Sequence, residues 1–152
     1  MDKKNILVVG IGNYLMGDDG LGIHVIKKLQ DEKLPDNVEL VDGGTKGLNL
    51  MNYFENKQLA IIIDAINMEK KPGELIIIEG ENVNKFFKIK YSVHEIGLVD
   101  LFDSLMLLDM LPEKIFLIGL QPWKIALQTE LSEPLEKNLH LVINKVKEII
   151  NA

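Results

Sequence analysis

Residues 5–29 read NILVVGIGNYLMGDDGLGIHVIKKL. An uninterrupted apolar segment passes through a glycine turn into an amphipathic one, which is how a domain of alternating strands and helices around a mainly parallel sheet begins. Asn5 to Gly10 predicts a buried strand. A helix is expected from Asp19 or Gly20, because Leu21, Val25, Ile26 and Leu29 share one helical face.

The glycines of this turn do not make a dinucleotide fingerprint. Gly10 and Gly12 are followed by Leu15 where the third glycine belongs. Asp18 and Asp19 would also repel a pyrophosphate, so the local field favours a cation. An aspartate near a helix start complements the helix dipole, which accounts for one of the two acids but less readily for both.

The same alternation continues along the chain. VELVDGG (residues 38–44) predicts a second strand, followed by a helix from about Leu48 to Glu55. LAIIID (residues 59–64) is a third strand, apolar enough to be covered on both faces. GELIIIEG (residues 73–80) is a fourth, expected in a hairpin-like or edge position close to the third. From His94 to Met110, Leu98, Leu101, Leu105 and Leu108 keep helical spacing, with His94 at or just before the helix start. EKIFLIGLQP (residues 113–122) predicts a fifth strand stopped by Pro122, and Trp123 is expected in the core. A closing helix follows, with Leu135, Leu139, Val142, Val146, Ile149 and Ile150 on one stripe, Ser132 as N-cap and Pro134 in the first turn. The expected architecture is a single α/β domain over residues 1–152, a twisted, mainly parallel five-stranded sheet with helices on both faces.

Composition narrows the function classes. The 152 residues are 47% hydrophobic and 26% charged, a globular balance. A net charge of -6 argues against nucleic acid as a partner, since phosphate backbones are held by excess lysine and arginine. Cysteine is absent, which excludes disulfides, thiolate metal sites and a cysteine nucleophile. No run reaches the roughly 18 apolar residues of a membrane span, so no membrane insertion and a cytoplasmic location are expected.

The acids at the strand ends carry the chemistry. Asp42 closes the second predicted strand and Asp64 the third. In an open parallel sheet the functional crevice lies beyond the carboxyl ends of the strands, so Asp18 or Asp19, Asp42 and Asp64 would share one pocket. Taken singly, each is an ordinary turn or cap residue; the convergence gives the set its meaning. His94 adds a nitrogen donor, and the combination suits a divalent transition metal with positions left open. His24 and His140 fall inside helices and read as packed or exposed side chains. Gly43 and Gly44 fit either a plain strand-to-helix turn or a place where another backbone comes close. A magnesium-dependent, receiver-like phosphoacceptor would use Asp18, Asp19 and Asp64. It fits poorly, because the acid pair begins eight residues beyond Gly10 and FLIGLQP itself offers no lysine at the end of the fifth strand.

ILVVGIGNYLMGDDGLGIHVI, VDGGTKGLNL, IIIDAI, SVHEIGLVDLF and GLQP before LSEPLEKNL, in this order over nearly the whole chain, resemble the hydrogenase maturation endopeptidase family. The resemblance implies removal of a C-terminal peptide from the precursor of a nickel-iron hydrogenase large subunit. It implies metal-binding roles for Asp19, at the second acidic place of the GNxLxxDD motif, for Asp64 ending the third strand, and for His94 of the HxxGL segment. The DGGT motif, Asp42, Gly43, Gly44 and Thr45, is implicated in substrate recognition. Asp18 then becomes a hypothetical base or supporting group. The metal implied is nickel already inserted in the substrate. No HExxH pair is present, so no tightly bound resident metal is expected. A non-catalytic nickel carrier or chaperone on the same scaffold would use the same ligands.

Overall fold

The computed structural model describes residues 5–89 and 93–152, with side chains in the second stretch from residue 97 onward. Among these residues five strands run β1 (Ile6–Ile11), β2 (Val38–Gly44), β3 (Leu59–Ala65), β4 (Leu75–Glu79) and β5 (Lys114–Leu120). Four α-helices accompany them: α1 (Leu21–Leu29), α2 (Glu81–Ile89), α3 (Val93–Leu107) and α4 (Glu133–Ile150). The strands form one sheet in the order β2-β1-β3-β5-β4, parallel except for β4, which pairs antiparallel to β5.

Side chains on a strand alternate between faces, and the two covered faces explain why β1 and β3 are apolar almost throughout. On one face Leu7, Val9, Ile11 and Ile62 pack against Leu50, Phe54, Phe87, Leu101 and Phe102. On the other, Val8, Ile61, Ile63 and Ile118 meet Leu21, Val25 and Ile26 of α1 and Leu135, Leu139, Val142 and Val146 of α4. Close approach of α1 to the sheet depends on two glycines. A Cβ at Gly10 would collide with the carbonyl oxygen of Gly22, and one at Gly22 with the carbonyl oxygen of Ile63.

Strand order reverses direction at the centre, where β1 hands on to β2 on one side and β3 to β5 on the other. A crevice forms at the carboxyl ends of strands at such a switch point. Register places Gly10 opposite Asp42 on β2 and Ile63 on β3, so the chain after β1 leaves the sheet between Asp42 and Asp64.

Several elements differ from expectation. The residues before α1 form a separate 3-10 turn, Gly17–Gly20, and the stretch expected as a helix near Leu48 is a 3-10 segment, Gly47–Phe54. Strand β4 is at the edge as expected, but its partner is β5 and not β3. Gln121 supplies the reason. Its Oε1 accepts the N–H groups of Met68 and Lys70 at 2.8 and 3.0 Å, and its main chain bonds Gly73 and Glu74, which carries the link from β3 across the end of β5. Helix α2 has no counterpart in the expected pattern. Leu98, Leu101 and Leu105 are buried, whereas Leu108 lies past the end of α3 and is exposed. Trp123, expected in the core, is 64% exposed, because the chain leaves the sheet after Leu120.

Candidate active site

The turn after β1 begins at Gly12, whose φ of +121° is a conformation side chains rarely adopt. Its N–H donates to the Gly44 carbonyl at 2.9 Å, tying the end of β1 to the end of β2. A Cβ at this position would collide with the Asp19 carbonyl oxygen and stand 3.3 Å from Asp64 Oδ1. Gly12 is therefore the bare point across which the Asp19 backbone and the Asp64 carboxylate approach each other.

Asp64 is buried at the end of β3, with Oδ1 accepting the Ala65 N–H at 2.8 Å. Asp19 is half-buried, and its Oδ2 accepts the Asn13 N–H at 2.9 Å. Asn13 closes the turn further, its own Oδ1 accepting the Leu15 N–H at 3.0 Å. Two of the three expected metal ligands thus lie at the switch point, Asp19 on the turn after β1 and Asp64 at the end of β3. The side chain of His94 lies outside the described residues. Its segment is brought alongside by a contact between motifs, since a Cβ on Gly47 of VDGGTKG would lie 3.1 Å from Cα of Gly97 of HEIGL. Among the described residues no three His, Cys, Asp or Glu side chains form a group that could hold a metal ion.

Asp18 points elsewhere. Successive residues of a 3-10 turn are rotated by about 120°, so adjacent aspartates face different neighbours. The Asp18 carboxylate is fully buried. Its Oδ2 accepts the N–H groups of Trp123 and Lys124 and the Ser132 hydroxyl at 2.9, 2.7 and 2.7 Å, while Oδ1 accepts the Ser132 N–H at 2.7 Å. A carboxylate offers about four acceptor positions. Three of the four bonds fall on Oδ2 and one on Oδ1, and this buried carboxylate ties the turn to the loop after β5. Ser132 sits where the N-cap of α4 was expected, but its hydroxyl serves Asp18 and not the helix.

Asp42 is exposed beside the site and lines a shallow cleft of about 280 Å3 with Gly12, Asn13, Tyr14, Lys27, Gly44 and Thr45. Of the expected substrate-contacting group, Asp42, Gly44 and Thr45 share this cleft. Gly43 does not; it is buried, and a Cβ there would stand 2.8 Å from Cγ2 of Val9. Lys27 and Tyr14 were not foreseen as site residues. The Lys27 ammonium lies 4.1 Å from the Tyr14 ring centroid, and the His24 ring 5.0 Å from it on α1. His24 also reaches the loop after β5, with Nε2 2.8 Å from the Thr129 carbonyl oxygen.

These features define an α/β domain with a doubly wound sheet and an acidic site at its switch point. A family model described as hydrogenase maturation protease matches residues 23–149. The chain is 34% identical over 143 residues to the Hydrogenase 2 maturation protease of Escherichia coli, covering 93% of this chain and 87% of that protein. Its fold superimposes on the hydrogenase maturating endopeptidase HybD of Escherichia coli with a TM-score of 0.92 at 32% identity, over 97% of this chain and 92% of that one. The NiFe hydrogenase maturation protease HybD of Thermococcus kodakarensis is similar at a TM-score of 0.80 and 28% identity, over 96% of this chain and 99% of that one.

The chain belongs to the hydrogenase maturation protease family. It is accordingly a hydrolase with a protease role in hydrogenase maturation. The receiver-like expectation falls with this membership. No helix among the described residues is long and apolar enough to cross a membrane.

Proposed function

We propose that this protein is the cytoplasmic endopeptidase that removes a C-terminal peptide from the nickel-loaded precursor of a nickel-iron hydrogenase large subunit. The observation that carries the proposal is the meeting of Asp19 and Asp64 across Gly12 at the switch point of a maturation-protease fold. Similarity to the NiFe hydrogenase maturation protease of Thermococcus kodakarensis supports the substrate class.

Nickel enters this proposal as part of the substrate. Two carboxylates and the imidazole of His94 are donors that a borderline divalent ion accepts, and three protein ligands leave positions open for the precursor's own groups. Held by these residues, such an ion would supply Lewis-acid chemistry, polarising the scissile carbonyl and lowering the pKa of a water bound to it from about 16 towards about 7. The rest falls to the chain. Asp19 and Asp64 orient the ion relative to the peptide, Asp42 and Thr45 meet the peptide in the cleft, and Asp18 keeps the turn in place. Cysteine is absent and the chain order offers no convincing Ser-His-Asp triad, so the nucleophile in this proposal is activated water.

The test is intact-mass analysis of a hydrogenase large-subunit precursor incubated with the protein, in nickel-loaded and nickel-free forms. Loss of a C-terminal peptide from the loaded form alone is the expected result. Nickel transfer with no trimmed product would point instead to the carrier activity.

A further inference from the structure

We infer that Asp18 is the positioning residue of the site: by clasping the loop after β5, it holds the turn that aims the Asp19 carboxylate. The inference rests on the endopeptidase reading only for its kinetic consequence.

The clasp joins segments more than 100 residues apart. Beyond the four bonds to the Asp18 carboxylate, the Asp18 N–H donates to the Lys124 carbonyl at 3.0 Å, the Gly17 N–H to Gln128 at 2.7 Å, and the Gln128 N–H back to Leu15 at 3.0 Å. The turn leading to Asp19 is therefore stapled at Leu15, Gly17 and Asp18 to residues 123–132. Asp19 itself is held more lightly. Its N–H donates to Met16 at 3.2 Å, and its carboxylate takes the Asn13 N–H at 2.9 Å. The one charged, buried group in this network is Asp18, and bonds to an ionised acceptor are about twice as strong as neutral ones. Loss of the clasp frees the turn, and the Asp19 carboxylate loses its fixed direction. A displacement of about 1 Å at a reacting centre costs on the order of 100-fold in rate.

Asp18→Asn tests this at unchanged volume, because the amide turns a donor towards N–H groups that need an acceptor. Ser132→Ala removes one donor and leaves Asp18 intact. Amide hydrogen exchange by NMR is read at Asn13, Trp123, Lys124 and Ser132, together with kcat and KM for precursor cleavage well below the melting temperature. In Asp18→Asn, exchange at Asn13 is expected to rise at least about tenfold and kcat to fall at least about tenfold, with KM nearly unchanged. Ser132→Ala moves both in the same direction by less. A role confined to stability would lower the melting temperature and leave kcat of the folded protein untouched, which overturns the inference. So does loss of kcat with exchange unchanged, since Asp18 would then act on the reacting atoms. Should Asp18→Asn not fold, Ser132→Ala decides alone. A wild-type protein that cuts no precursor sinks the endopeptidase proposal, and Asn13 exchange still judges the clasp.

Discussion

Asp18 and Ser132, 114 positions apart in the chain, meet in two hydrogen bonds of 2.7 Å, one from the serine N–H and one from its hydroxyl. The neighbouring Asp19 carboxylate, by contrast, accepts a single hydrogen bond among the described residues, at Oδ2 from the Asn13 N–H. One acid is therefore consumed by the fold, and the next is left to the site. The pair explains why two carboxylates follow the glycine turn.

Asp19→Asn and Asp64→Asn, with His94→Ala, are expected to abolish precursor processing while the far-ultraviolet circular dichroism stays that of the wild type. Substitution of a carboxylate by its amide changes charge but hardly volume. Cleavage at the wild-type rate by any of the three would remove that residue from the ligand set.

If the precursor brings the ion, as proposed, purified protein is expected to carry nickel or zinc far below one equivalent per chain. Elemental analysis after desalting checks this. One tightly held equivalent would replace a substrate-supplied metal with a resident one.

Leu101→Ala should act through stability. Leu101 is fully buried on α3, in the cluster that holds Phe54 and Phe102 against the sheet. Truncation at such a position costs about 2 to 5 kcal/mol, read as a lower urea midpoint at unchanged slope.

Gln121→Ala removes the acceptor of the Met68 and Lys70 N–H groups. The cost is on the order of 1 to 3 kcal/mol, with faster amide exchange at those two residues as its local signature. Unchanged exchange there would mean that the link from β3 to β4 is held by its main chain alone.

Gly22→Ala should be among the most damaging small changes. The added methyl group would collide with the Ile63 carbonyl and press on Ile11, forcing α1 off the sheet. Overpacking of this kind costs about 1 to 3 kcal/mol or more, measured by thermal melting.

Local periodicity was enough to identify all five strands and helices α1, α3 and α4, because buried strands and one-sided helices write their environment into consecutive residues. The acids at the strand ends were legible for the same reason: a parallel sheet puts its carboxyl ends together whatever the details of the loops. Strand order on the far side was not legible. It depends on Gln121 bonding a link more than 50 residues away, and no local pattern encodes a partner at that distance. Nor could residue chemistry by itself separate Asp18 from Asp19; only the family resemblance did. Identical side chains on consecutive residues look alike until a turn rotates one towards buried donors from the loop after β5 and the other towards the Asn13 N–H. Chain order and chemistry determined which residues gather at the switch point; the tertiary structure decided which of them hold it together, because hydrogen bonds between distant segments exist only once the chain has folded.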